Sequence, residues 1–209
     1  MSQKLKLIED ITAVLPENGI TEWKEVQTTA FSRIMGGQDL IIAAEEGAGK
    51  STLIVLAVLN KLKAAYQEAP RALIMLPTKD KVLEMEEKFR FLGINLDLRV
   101  IAVHDRDDIE EQREKLREGV DVVIGTHDRI LALSIRSGIN FTQLKMFIVD
   151  DLHQIIKLNK QVIIKNLTES INRCQYILTT TEITEKVEIL SEHFMNNPTY
   201  IEIEEEDEE

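Results

Sequence analysis

The chain has little of what marks a secreted, membrane-spanning or metal-clasped protein. A single cysteine in 209 residues, Cys174, leaves no internal disulfide to form, and points to a reducing, cytoplasmic setting. No apolar run approaches the ~20 residues that cross a bilayer, and Met1-Ser-Gln-Lys-Leu-Lys6 carries no signal-peptide core, so no membrane partner is expected. The histidines at 104, 127, 153 and 193 lack metal-ligand spacing, which argues against a structural zinc site. Positive charge is also scarce. Lys and Arg number 25 against 37 Asp and Glu, and the net charge of −12 argues against a general nucleic-acid coat. That objection weakens when the charge is located, because Glu202 and the run 204–209 leave only about −5 on the rest of the chain. The acidic tail, 204–209, is either a solvated end or a competitor of phosphates for a basic groove.

What is present is an alternation. Short apolar runs at 40–43, 72–76, 98–103, 120–125, 146–150, 176–180 and 200–203 read as strands. Amphipathic stretches at 50–66, 79–91, 108–117, 129–137, 157–170 and 184–194 read as helices between them. This is the pattern of βαβ units, and it predicts an α/β fold with a buried, mostly parallel sheet and helices on both faces. No repeat or linker breaks it, so residues 1–203 are expected to form one domain. Ligands should collect at the carboxyl ends of the strands.

The loop after the first strand is the most chemical segment. Ala44-Ala-Glu-Glu-Gly47-Ala48-Gly49-Lys50-Ser51-Thr52 joins a strand to an apolar helix, the setting in which a phosphate-binding loop is credible. Gly47 and Gly49 let amide N–H groups turn toward an anion, and the helix start aims its positive end at the same point. Lys50 would reach the outer phosphates, and Ser51 would ligate Mg²⁺. A second carboxylate site ends the strand Met146-Phe-Ile-Val: Asp150 would hold the metal and Asp151 would orient the attacking water. The blander reading is a pair of aspartates ending a strand and capping the next helix.

Together these segments resemble the first RecA-like domain of the DEAD-box RNA helicases of superfamily 2. Asp150-Asp151-Leu-His153 resembles that family's Asp-Glu-x-Asp/His signature, and its phosphate loop also begins with alanine, as at Ala44. Gly19 to Gln27 has the length and ends of the adenine-reading Q motif. Pro77-Thr78-Lys79-Asp80 looks like Pro-Thr-Arg-Glu, and Gly125-Thr126-His127-Asp128-Arg129 like Thr-Pro-Gly-Arg after its usual glycine. Thr179-Thr180-Thr181 stands where Ser-Ala-Thr belongs, and the segment from Phe194 to Ile201 resembles the family's domain ending. The resemblance covers about residues 10–203. It implies ATP and Mg²⁺ as ligands, with Gln27, Ala44, Gly47, Ala48, Gly49, Lys50, Ser51 and Thr52 around the nucleotide. Lys50, Asp150 and Asp151 would be catalytic. His153, Thr179 and Thr181 would couple the nucleotide to strand separation, and Thr78, Lys79, Thr126 and Arg129 would meet the backbone of single-stranded RNA.

The departures matter as much. The chain ends where the family's first domain ends, so efficient hydrolysis and unwinding are expected only with a second RecA-like domain in trans, or another protein partner. Asp151 replaces glutamate and is one methylene shorter. Ile20, Trp23 and Glu25 replace the Q motif's phenylalanine and two prolines, and no aromatic residue precedes Trp23. Trp23 either packs in the core or substitutes for the missing aromatic, and Gln27 either reads adenine or is a plain helix residue. No glycine occurs between Gly93 and Gly119, where the family has a glycine pair, and Asp128 sets a negative charge beside a phosphate contact. Lys79 and Arg129 are otherwise solvated helix starts, and His153 a plain helix-start histidine. The rival expectation is a degenerate, non-catalytic helicase-like module acting as a protein-interaction scaffold.

Overall fold

The computed structural model describes residues 5–203, so the acidic run 204–209 lies outside the described residues. Seven strands, β1 (Leu40–Ala43), β2 (Ala72–Leu76), β3 (Val100–Val103), β4 (Val122–Thr126), β5 (Met146–Val149), β6 (Gln175–Thr180) and β7 (Thr199–Glu202), form one sheet in the order β3-β4-β2-β5-β6-β1-β7. Every pairing is parallel. The central strands are buried along their whole length, which is why they read as continuous Ile, Leu and Val rather than as an alternation with polar residues.

Side chains alternate between two hydrophobic cores, one on each face. Leu40, Ile42, Ile74 and Ile148 enter one core, while Ile41, Leu73, Met75 and Val149 enter the other. The first core is closed by α1 (Glu9–Thr12), α2 (Glu25–Met35), α3 (Lys50–Leu62) and α4 (Lys79–Leu92). The second is closed by α5 (Ile109–Arg117), α6 (His127–Ile135), α7 (Leu152–Lys157), α8 (Gln161–Ser170) and α9 (Glu185–Glu192). Residues 53–59 of α3 are all buried, so this helix is apolar all round and runs through the interior. Among the described residues no helix is long and apolar enough to cross a membrane.

Several details differ from the sequence reading, three of them with a local cause. Helix α2, which was not among the expected elements, starts at Lys24 without a side-chain N-cap and carries Thr and Ser in its middle, so its start signal is weak. Its core face is nonetheless helical in spacing, with Val26, Ala30, Phe31 and Ile34 buried. The helix expected over 157–170 is broken: α7 ends at Lys157, Asn159 turns left-handed at φ 56°, and α8 begins at Gln161. The strand expected over 98–103 begins only at Val100, because the Arg99 carbonyl accepts from the Asp121 and Val122 amides and its own amide donates to the Asp121 carboxylate.

Asp121 is a structural anchor. It is fully buried and holds Arg71 at 2.6 Å and Arg99 at 2.9 Å. Burial alone would raise its carboxyl pKa, but the hydrogen bonds from Arg99 and Arg71 win, and the net shift is downward.

Candidate functional site

The strand order explains why residues scattered through the chain meet. β5, β6 and β1 are consecutive in the sheet, so the loops leaving their carboxyl ends lie side by side. β2 and β4 lie on the other side of β5, and their loops form a neighbouring patch.

At the first patch the loop after β1 wraps the start of α3. Gly47 and Gly49 have φ of 85° and 95°, a region that side-chain-bearing residues rarely occupy. At Gly49 space is short as well, since a Cβ there would stand 2.7 Å from Gln27 Nε2. Gly49 is the N-cap of α3 and brings no side chain to the cap, which leaves the first amides of the helix to an incoming anion. Lys50 is buried and donates to the carbonyls of Ala44 and, at 2.8 Å, Glu45. Burial lowers its pKa against the pull of Asp151 and Asp150.

From β5, Asp150 completes the cluster. Ser51 Oγ donates to Asp150 Oδ2 at 2.9 Å, and Thr179 Oγ1 donates to Asp150 Oδ1. The Asp150 carboxyl pKa is raised, first by burial and then by Asp151, against the two hydroxyl donors and Lys50. A buried carboxylate and a hydroxyl side by side, short of positive charge, suit a hard divalent cation, and the donor set fits Mg²⁺. Asp151 follows in the left-handed region at φ 54°, a conformation that aspartate tolerates better than most residues. Its amide donates to Thr179 Oγ1 at 3.2 Å, and its carboxylate faces Lys81 Nζ at 3.6 Å.

Gln27 is buried at the edge of this cluster. Its Oε1 accepts from the Lys24 amide at 3.0 Å and its Nε2 donates to the Gly49 carbonyl at 3.4 Å, so α2 is bonded to the phosphate loop. Lys24 Nζ donates to the Gly47 carbonyl. Trp23 and Ile20 pack against the core on the α2 face. The cleft between these elements holds ≈ 320 Å³, lined among others by Gln27, Lys50, Ser51, Thr52, Lys81 and Asp151. That volume is at the low end of those that hold small molecules.

The second patch is occupied by the protein's own carboxylates. Arg129 is buried, its guanidinium donating to the Asp107 carbonyl at 3.0 Å and lying 3.6 Å from Asp105. Thr126 Oγ1 donates to Asp105 at 3.4 Å, and Lys160 pairs with Asp128 at 2.9 Å. Thr78 is exposed and caps α4 by accepting from the Lys81 amide at 3.3 Å, and Lys79 beside it is half-buried. Gly125 lies against Val103 on β3, where a Cβ would come within 2.5 Å of that side chain.

Two of the expected coupling residues make no side-chain hydrogen bond to this cluster among the described residues. Thr181 is half-buried just past β6. His153, in the first turn of α7, is half-buried, and its pKa is lowered chiefly by burial. The sequence reading had no role for Lys24, Lys81 or Asp105, each of which touches an expected site residue. For Lys81 a signal exists: lysine in the first turn of a helix opposes the helix dipole and calls for an acidic partner.

The chain is similar to known proteins over most of its length. The family model for DEAD/DEAH box helicase matches residues 24–190. The chain is similar to DEAD-box ATP-dependent RNA helicase 7 of Oryza sativa, 26% identical over 92% of this chain and 29% of that protein. It is also similar to ATP-dependent RNA helicase eIF4A of Eremothecium gossypii, 28% identical over 95% of this chain and 50% of that protein. The chain therefore spans half or less of the length of these relatives. Among solved structures, a DEAD box protein from the hyperthermophile Methanococcus jannaschii superposes with a TM-score of 0.90 at 18% identity, over 95% of this chain and 55% of that one, a match of fold.

Proposed function

The chain belongs to the DEAD/DEAH box helicase family, and on that footing we propose that it is an ATP-binding RecA-like domain. It takes Mg-ATP at the ends of β1, β5 and β6 and contacts single-stranded RNA weakly beside them. Efficient hydrolysis and unwinding need a second RecA-like domain brought against it. The observation that carries this reading is the contact of Ser51 and Thr179 with the two oxygens of Asp150, beside an uncapped helix start.

The residues divide the work by position. The amides of Gly47 to Thr52 and the α3 terminus cradle the phosphates. Lys50 exchanges its two loop carbonyls for phosphate oxygens, a partner that restores its full charge. Ser51 and Asp150 hold Mg²⁺, which when bound supplies charge neutralisation across the outer phosphates. Gln27 offers an amide donor and acceptor to adenine while tied to the loop that holds the phosphates. Thr179 links Asp150 to the Asp151 amide, so a shift of the metal ligand is passed to the residue that orients water.

Asp151 lowers the rate further. Its carboxylate falls about 1 Å short of where a glutamate would reach, and a displacement of that size costs roughly 10²-fold. Binding is therefore better preserved than turnover. The test is phosphate release from ATP by the chain alone, with RNA, and with RNA plus a helicase second domain, in wild type and Asp151→Glu. Little turnover alone, stimulation by the added domain, and a further rise in Asp151→Glu are expected. Full turnover by the unassisted chain contradicts the reading.

A second reading, a non-catalytic helicase-like scaffold, is favoured by one observation: Arg129, Thr126 and Lys160 already hold Asp105, Asp107 and Asp128. It predicts nucleotide binding or RNA binding too weak to saturate.

A further inference from the structure

We infer that Lys81 is the residue by which this domain distinguishes a nucleoside triphosphate from a diphosphate, its ammonium leaving Asp151 to pair with the terminal phosphate. The inference rests on the ATP site proposed above and adds to it a contact from α4.

The geometry begins with an electrostatic conflict. Lys81 sits in the first turn of α4, where the helix dipole disfavours a cation, and the Thr78 hydroxyl already caps its amide. Its ammonium is compensated by Asp151 at 3.6 Å and Glu84 at 4.0 Å, both longer than the ~2.8 Å of a charge-assisted hydrogen bond. Its side chain is 39% exposed, facing the cleft that Lys50 and Ser51 also line. The other loop-side cations are engaged more closely: Lys50 with the carbonyls of Ala44 and Glu45, Lys24 with that of Gly47. Lys81 is thus a loosely held charge, and a phosphate oxygen that reaches it meets little competition.

Position decides which phosphate that is. The loop amides and the α3 terminus fix the inner part of a polyphosphate at the end of β1. Its terminal group must then extend toward the ends of β5 and β6, where Asp150, Asp151 and Thr179 converge. Lys81 faces that corner through its contact with Asp151. When the terminal phosphate is present, Lys81 turns to it and the Asp151 carboxylate is released to accept from water. When only two phosphates are present, Lys81 stays on Asp151.

The test is competition titration of ATP and ADP against a fluorescent nucleotide, in Mg²⁺, for wild type, Lys81→Met, Lys81→Arg, Asp151→Asn and the double variant Lys81→Met/Asp151→Asn. Lys81→Met is expected to weaken ATP about tenfold while leaving ADP within about twofold, and Lys81→Arg to keep most of the ATP affinity. The same loss between Asp151→Asn and the double variant shows that Lys81 acts on the phosphate and not merely by neutralising Asp151. Equal loss for ATP and ADP, no loss for either, or recovery in the double variant overturns the inference while leaving the ATP site standing. A wild-type chain that binds neither nucleotide overturns both.

Discussion

Ser51 and Asp150 lie 99 residues apart in the chain and share a 2.9 Å hydrogen bond at the carboxyl edge of the sheet. One follows β1 and the other ends β5, and β6, which lies between those strands, adds Thr179 to the same corner. A buried carboxylate whose hydrogen bonds come from neutral hydroxyls is poorly compensated, and that imbalance is what a bound cation relieves.

The imbalance has a measurable sign. Because the Asp150 carboxyl pKa is raised in the folded state, its ionised form costs stability. The group favours folding most below its unfolded value near 3.9, and that contribution is lost as pH rises through the folded value. Asp150→Asn is therefore expected to unfold at a higher temperature than wild type at neutral pH without nucleotide, with the gap shrinking on acidification. Mg-ATP should raise the wild-type melting temperature and not that of the variant.

Asp121 predicts the opposite. Its pKa is lowered in the fold by Arg99 and Arg71, so its stabilisation is present above the unfolded value and is lost as pH falls through the folded one. Asp121→Asn leaves Arg71, 4% exposed, without its counter-charge. A loss of about 3–5 kcal/mol is expected in chemical denaturation, with a flatter acid-unfolding curve than wild type.

On the second patch, the carboxylates of Asp105 and Asp128 compete with any incoming phosphate for Arg129, Thr126 and Lys160. Asp105→Asn and Asp128→Asn should each tighten binding to a single-stranded oligonucleotide several-fold. If one more phosphate contact is freed, the slope of log K against log salt should steepen by roughly 0.7. Unchanged affinity in both variants would mean that this face does not meet RNA.

Gly49 tests the link between α2 and the loop. Gly49→Ala forces a side chain into φ 95° and toward Gln27 Nε2 at 2.7 Å. Nucleotide affinity is expected to fall at least tenfold, with a stability loss of about 1 kcal/mol or more. Gln27→Ala in the same background should restore room but not the left-handed strain, giving partial recovery of stability.

Much of this was legible in the residues. Strand cores such as Leu40–Ala43 and Ala72–Leu76 are bounded by sharp changes in polarity, so their positions follow from composition alone. The phosphate loop announces itself through glycine placement between an apolar strand and an apolar helix. Strand order is a different matter: nothing local in 175–180 says that β6 inserts between β1 and β5, although that insertion sets Thr179 beside Asp150 and Asp151. Helix α2 was hidden because its N-cap residue is Lys24, a side chain that cannot accept from the first helical amides. The break at Asn159 was hidden because one left-handed residue interrupts an otherwise helical spacing of Ile and Leu. The pairing of Arg129 in α6 with Asp105, twenty-four positions upstream in the loop after β3, depends on β3 and β4 lying side by side.

The central claim is that the loop after β1 and the carboxylate ending β5 together bind Mg-ATP. Titration of a fluorescent ATP analogue with and without Mg²⁺, in wild type and Lys50→Ala, tests it most directly. Saturable micromolar binding that depends on Mg²⁺ and vanishes in Lys50→Ala is the predicted result. Absence of saturable binding by the folded wild-type chain, or binding indifferent to Lys50→Ala, would contradict it.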